Sequence, residues 1–273
     1  RPMAMGSIFR IGGVPPDFAE HREEAVKVLK EARKAGLPVY SPGPGGPGAT
    51  MRDDQLCPNL CRAAGDGSRV EDITRAEVKV RQDTWEVVRY FQQHAPGLED
   101  CYLEATPAQV GVRETRQAVG DYTMDGDDIV ESRKQPDGIA RATYFIDIHC
   151  PMGYTYPAHL CRRDCPTEPG RCPILDEAPE QLADRLRQQE GEWADIPYRS
   201  LTVKGANNLL VSGRCISADH HAMSATRVMA TCVAIGQAAG TAAALAGDRD
   251  EPDVRAVNTE NLRKQLRADG ALV

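Results

Sequence analysis

The hydrophobic and polar positions in the first half of the chain predict one strand followed by two long helices. A strand-like apolar run begins at Gly6, and apolar residues recur at helical spacing over residues 18–35 and 74–94. The second helix is predicted to begin at Thr74, because Thr74 and Glu77 stand at the spacing of a capping box. Three large residues mark its expected buried face: Trp85, Val88 and Phe91.

The second half of the chain shows strand spacing, a polar insertion and a third long helix. Alternation around Asp147 and His149 predicts a strand that turns both side chains to one face. Residues 150–195 are polar and rich in proline and cysteine, so we interpret them as an inserted excursion. A short apolar strand is predicted at residues 208–212, followed by a loop and a helix over about residues 226–246. Together these elements predict an α/β fold of the α+β kind.

The composition argues against several classes of partner. A formal net charge of −7 with no block of Lys and Arg argues against binding to nucleic acid. The most apolar segment, residues 230–246, is interrupted by Gly236, Gln237 and Gly240, and it predicts no membrane span. Arg1 leads into a strand-like run rather than a signal-peptide pattern, so we expect the natural chain to continue on its N-terminal side. Localisation and oligomeric state stay open.

The nine cysteines raise the alternative of a metal site. Thiolate and imidazole ligands suit zinc or an iron–sulfur centre, yet the clustered cysteines do not follow Cys-x2-Cys spacing, and we predict no metal. An acidic run that starts at Asp125 lacks the other ligands of a calcium loop and is interpreted as a helix cap and turn. The candidate metal ligands are Cys57, Cys61, His159, Cys161, Cys165 and Cys172.

The predicted third long helix carries small residues at every fourth position. Cys232, Gly236, Gly240 and Ala244 would line one helix face and allow a backbone or a flat ligand to approach closely. The N-terminus of this helix, near Arg227, offers unpaired N–H groups and the positive end of the helix dipole. From spacing alone, a tightly packed core helix and a ligand-binding helix both remain open.

Five segments resemble the family of FAD-dependent oxidoreductases. Residues 207–244 closely resemble the C-terminal signature of that family, which is long and specific. Four further segments resemble the family in the same order along the chain, so the resemblance covers nearly the whole sequence. They are residues 73–77, 111–122, 145–149 and 196–199.

The resemblance implies a domain organisation and a cofactor. A substrate domain would occupy residues 1–200, the C-terminal part of a Rossmann-type FAD-binding domain residues 201–247, and a C-terminal helix residues 248–273. The family's G-x-G-x-x-G fingerprint for the ADP moiety would precede Arg1, because residues 43–48 form a proline-rich loop with no helical pattern after it. We therefore expect this chain by itself to bind FAD poorly and to be inactive. The residues implied beside FAD are Gly213, Arg214, Val228, Met229, Ala230, Thr231, Gly236 and Gln237.

Candidate chemistry rests on histidines and arginines. His149, His220 and Arg227 are predicted to be catalytic: the histidines as acid or base, the first oriented by Asp147, and the arginine beside developing negative charge. The chain would then move hydride or electrons between a small organic substrate and FAD. Two other readings stay open: a non-catalytic or metal-stabilised binding domain built on the cysteine-rich segment, and an inactive fragment that keeps the fold. The predicted substrate-binding residues are Arg113 and Arg116, for which salt bridges to Glu114 or Asp121 are the alternative.

Overall fold

The chain folds into helices and small antiparallel sheets, which confirms the predicted α+β class. Its contacts divide it into two units: unit 1 comprises residues 1–113 and 149–155, and unit 2 comprises residues 114–148 and 156–273. The predicted division by role at residue 200 stays a prediction. The computed structural model describes residues 2–39, 47–50, 52–148, 188, 190–247 and 252–273, and all structural statements refer to these residues.

Unit 1 contains two antiparallel sheets. Strand β1 pairs with β5 in one sheet, and the other has the order β3, β4, β2, β6. Gly48 lies in β3, so a strand and not a helix follows residues 43–46, and the segment does not open a dinucleotide-binding helix. The strands are β1 (Met5–Ser7), β2 (Arg10–Gly12), β3 (Pro47–Ala49), β4 (Gln55–Pro58), β5 (Cys61–Ala63) and β6 (Tyr102–Ala105).

Two helices, α1 (Phe18–Lys34) and α2 (Val70–His94), complete unit 1. The predicted start of the second helix at Thr74 is wrong, because the helix begins one turn earlier. The acidic residues in this first turn interact favourably with the positive end of the helix dipole. Thr74 instead lies inside the helix, where its Oγ1 atom donates a hydrogen bond of 2.9 Å to the Val70 carbonyl. The helix packs through Val80, Val87, Val88 and Phe91, whereas Trp85 is 50% exposed and does not belong to the buried face.

Unit 2 is built around one strand pair. Strand β7 (Gly138–Ala142) pairs antiparallel with β8 (Ala194–Pro197). The strand predicted around Asp147 is wrong, because the described residues 143–148 have no regular structure and the strand ends at Ala142. Short helix α3 (Gly126–Val130) begins with a complete capping box between Asp125 and Asp128, which confirms the predicted cap.

The C-terminal part of unit 2 is more helical than predicted. The predicted strand at residues 208–212 is reduced to one bridge between Leu210 and Thr202, so this part of the prediction is wrong. The helix predicted over about residues 226–246 is confirmed with its start at Met229, and a further short helix, separated from it by a break at residues 227–228, lies where a loop was predicted. The three helices are α4 (His220–Thr226), α5 (Met229–Gly247) and α6 (Thr259–Ala268).

Helix α5 packs on β7 and α6 through a face other than the predicted one. Its buried residues are Thr231, Ile235, Ala238, Ala242 and Ala246. Gly240 is exposed, Gly236 is half-buried, and a Cβ atom built on either glycine would meet no described atom within 4 Å. Among the described residues, the glycines of the small-residue stripe therefore lie on an open side of α5. By length and composition alone this helix would qualify as a membrane span, with a window of mean hydropathy 1.4.

Candidate functional site

Helix α4 holds His220 at its first position. Asp219 precedes it in extended conformation, and its carboxylate accepts hydrogen bonds from the backbone N–H of Ala222 at 2.7 Å and of Gly126 at 3.3 Å. The first bond caps α4 and the second ties it to the start of α3. The position of the His220 backbone is therefore fixed by an N-cap that the pattern of apolar residues did not predict.

The His220 imidazole is bonded to a carboxylate from a distant part of the sequence. Its Nδ1 atom lies 2.7 Å from Oε2 of Glu114, and the side chains are 6% and 0% exposed. The His221 ring packs edge-on against the His220 ring, with 5.8 Å between centroids. Sequence analysis predicted His220 but considered Glu114 only as a salt-bridge partner, because nothing local links residues 106 positions apart.

Arg227 is the second polar group of the candidate site, and its side chain is 11% exposed. Its Nη2 atom donates to the Asp147 carbonyl at 2.9 Å and to Oδ2 of Asp147 at 3.1 Å. Burial lowers the pKa of Arg227, and the nearby Asp147 carboxylate partly offsets that effect. Asp147 was predicted to orient His149, which lies outside the described residues; in the structure Asp147 binds Arg227.

His220 and Arg227 stand at opposite ends of α4. A separation of seven residues is about two helical turns, so the two positions share a face and lie roughly 10 Å apart along the axis. Arg227 is the C-cap of α4 and stands two residues before α5. The structure thus places both residues on one short element, with Arg227 nearer to the start of α5.

The N-terminus of α5 has no side-chain cap from the residue before it. Val228 accepts the first helical hydrogen bond through its carbonyl, from Cys232 N at 2.9 Å, but its side chain offers no acceptor to the first N–H groups. Met229 and Val233 are 86% and 72% exposed on this first part of the helix. The exposed surface at this point therefore combines N–H donors with apolar side chains.

A short 3-10 turn, Gly213–Cys215, lies beside the start of α5. Gly213 adopts a left-handed φ of 63°, and a Cβ atom there would lie 3.8 Å from Cys232 Sγ. Burial is the main influence on two neighbouring groups, because it raises the pKa of Cys232 and lowers the pKa of Arg227; the nearby Arg214 charge adds a smaller lowering effect on both. Two segments that were predicted to contact the cofactor thus meet in the fold.

The remaining predicted cofactor residues are divided between faces of α5. Ala230 is exposed beside Met229, while Thr231 is buried on the packed side of the helix. Gln237 is exposed and Gly236 half-buried, about two turns beyond the N-terminus. The structure therefore brings Gly213, Arg214 and the first residues of α5 together, and it leaves Gly236 and Gln237 further along the helix.

The two predicted substrate-binding arginines belong to different units. Arg113 is in unit 1, where its guanidinium covers Gly6 and its Nη1 atom donates to the Ala4 carbonyl at 2.6 Å. Arg116 is in unit 2 and is exposed. Of their predicted alternative partners, Asp121 is paired with another arginine, Arg255.

The described residues contain no cluster of three or more His, Cys, Asp or Glu side chains suited to a metal ion. Cys57 and Cys61 are both free thiols in unit 1, and burial raises the pKa of Cys61 to about 12, so it is not poised as a thiolate ligand. The other candidate ligands lie outside the described residues, and the prediction for them stays a prediction: His159, Cys161, Cys165 and Cys172.

Comparison with known proteins gave one match. A family model described as FAD dependent oxidoreductase matches residues 13–266, which cover most of each unit and every described residue of the candidate site. No curated protein and no solved structure matched the chain.

Proposed function

Because the chain belongs to the family of FAD dependent oxidoreductases, we propose that it transfers hydride or electrons between a small organic substrate and FAD. The observation that carries the proposal is the buried His220–Glu114 pair. It lies in the same unit as the start of α5, beside which Arg214 and Arg227 stand. A redox reaction of an organic substrate needs a proton acceptor or donor, and this pair is suited to provide one.

Three features at the start of α5 fit a flavin ring. The first-turn N–H groups and the Arg214 charge suit an electron-rich carbonyl edge. Met229 and Val233 offer exposed apolar contact for a flat ring. Arg227 Nε is buried and has no hydrogen-bond partner among the described residues, so it can donate to a further group. When bound, FAD would supply the electron transfer.

The protein side chains would then supply proton transfer and charge stabilisation. His220 would give or take a proton at the substrate, and Arg227, held by Asp147, would stabilise negative charge beside the ring. His149 is proposed as a second acid–base residue from the resemblance alone. Arg116, an exposed residue of unit 2, is proposed to bind an anionic substrate group, and Arg113 donates a hydrogen bond to the Ala4 carbonyl within unit 1.

The proposed role of His220 is tested by its replacement in the FAD-loaded protein. We expect His220→Ala to slow anaerobic flavin reduction by about 10²–10⁴-fold with flavin content retained. Reduction would be followed by loss of flavin absorbance against a panel of small alcohols, amines and hydroxy acids. His94→Ala is the matched control, since His94 is exposed at the end of α2 in unit 1 and its ring stacks on Tyr90 of the same helix.

Two results would contradict the proposal. If His220→Ala keeps its flavin and is reduced at the parent rate, His220 is not catalytic. If no FAD binds to the complete natural protein, the cofactor assignment fails, whereas poor binding by this chain alone is already expected. Melting temperatures measured on each variant separate a loss of catalysis from a loss of stability.

A further inference from the structure

We propose that Glu114 is a positioning residue that fixes the tautomer of His220, with the proton on Nδ1, and leaves Nε2 as the atom that exchanges protons. The inference rests on the proposed function for its catalytic consequence, but the tautomer assignment stands on the geometry of the pair. The bond between Nδ1 and Glu114 Oε2 is 2.7 Å long and buried on both sides.

The chemistry of the two groups sets the direction of this bond. An ionised carboxylate can only accept hydrogen bonds, so the imidazole nitrogen that faces it must donate. In a neutral imidazole the other nitrogen then carries a lone pair. Low solvent exposure strengthens such a bond, because water does not compete for either partner. Glu114 therefore selects one of the two neutral tautomers of His220.

Backbone hydrogen bonds fix the positions of the segments that carry Glu114 and His220. Ala118 N donates to the Cys215 carbonyl at 2.9 Å, which joins the segment after Glu114 to the Gly213–Cys215 turn. Asp219 N donates to the Met124 carbonyl at 2.7 Å, which joins the residue before His220 to the same part of the chain. The carboxylate is thus positioned by the framework that also positions the proposed cofactor turn. A geometry of this kind suits orientation of an imidazole rather than a chance surface contact.

The experiment compares three variants of the full chain. Glu114→Leu removes the acceptor, and Glu114→Gln keeps an acceptor oxygen in nearly the same shape. Asp128→Asn is the control: Asp128 is also a buried carboxylate of unit 2, bonded to Arg133 and Tyr122, and it is not part of the proposed site. Long-range ¹H–¹⁵N correlation spectra of histidine-labelled protein report which imidazole nitrogen carries the proton. The His220 signals are assigned from their loss in His220→Gln.

The parent and the Asp128→Asn control are expected to show His220 protonated on Nδ1. Glu114→Leu is expected to lose this preference and to reduce flavin about 10²-fold more slowly with unchanged flavin content. Glu114→Gln is expected to recover most of the Nδ1-protonated form. If Glu114→Leu fails to fold, Glu114→Gln alone decides. Its His220 signal is expected to lie closer to that of the parent protein than to that of His220 in the unfolded chain.

The proposal is overturned if parent His220 carries its proton on Nε2, or if Glu114→Leu leaves the tautomer unchanged. A tautomer change without slower flavin reduction has a different meaning. It would contradict the catalytic role of His220 under the proposed function and would leave the assignment of the Glu114 bond standing.

Discussion

At the scale of single residues, the close approach of α3 and α4 depends on one glycine. A Cβ atom on Gly126 would lie 2.8 Å from Cβ of His221, closer than two such atoms can pack. The same residue donates its backbone N–H to the Asp219 cap. Gly126 therefore sets the spacing between the capping residue and the helix that carries His220.

We expect Gly126→Ala to lower the free energy of unfolding by about 1–3 kcal/mol, because the added methyl group forces α3 and α4 apart. Chemical denaturation monitored by circular dichroism measures the change. Gly247→Ala serves as control, since a Cβ atom there meets no described atom within 4 Å. An unchanged midpoint for Gly126→Ala would show that the two helices are not held at this distance.

The residues of the candidate site differ in how well the sequence predicts them. His220 and Arg227 were predictable because they lie within the long signature around α4 and α5. Glu114 was not predictable as their partner, because its contact with His220 depends on the folded path of the chain rather than on any local pattern. Asp219 could have been recognised as an N-cap from its residue type, but the segment around it was predicted to be a loop.

At the scale of elements, helices were predicted better than strands. Helical spacing persists over many residues, so α1 and the body of α2 were located correctly even though α2 begins at Val70. Strands β1 to β8 are only three to five residues long, too short for alternation to be distinctive. The run at residues 208–212 illustrates the difficulty, because Leu209 is exposed and the segment makes one bridge only.

The open side of α5 gives the next prediction. Glycine inside a helix costs about 1 kcal/mol relative to alanine, and a Cβ atom on Gly240 meets no described atom within 4 Å. We expect Gly240→Ala to raise the free energy of unfolding by about 0.5–1 kcal/mol. Thermal denaturation measures this change in stability. Ala242→Gly, on the buried side of the same helix, is expected to lower the free energy of unfolding.

A loss of stability in Gly240→Ala would overturn this picture of α5. It would show that another group packs closely against the small-residue stripe in the protein in solution. Combining both substitutions tests their independence, since sites on opposite faces without shared partners are expected to add.

At the scale of the whole molecule, ligand binding and stability are coupled. A ligand that binds only the folded state stabilises it by about 2.7 kcal/mol when its free concentration is 100 times Kd. We therefore expect FAD to raise the melting temperature of the complete natural protein in a concentration-dependent way, and to have a smaller effect on this chain alone. Differential scanning fluorimetry is unsuitable beside a fluorescent ligand, so calorimetry is the measurement.

The matched variants for this titration reverse one charge each. Arg214→Glu places a negative charge beside the start of α5 and should reduce the shift caused by FAD. Arg89→Glu makes the same change on an exposed position of α2 in unit 1 and should leave the shift intact. Equal shifts for the two variants would remove Arg214 from the proposed cofactor surface.

The family and the α+β class could both be predicted from the sequence, because each depends on long stretches of residues. The Rossmann-type character of residues 201–247 stays a prediction, since the named strand pairs among the described residues are all antiparallel. The boundary between the units at residue 113 follows from contacts across the chain. No composition shift marks that boundary in the sequence.

The bond between Glu114 and His220 also bears on the order in which the protein folds. Contacts between residues 106 positions apart form only after a long loop has closed, and folds rich in such contacts assemble slowly. Helices α1, α2 and α5 depend on local hydrogen bonds and can form early. Backbone helicity would then return before His220 acquires its carboxylate. A refolding chain would pass through a stage that has native-like secondary structure and lacks the proposed acid–base pair of His220 and Glu114.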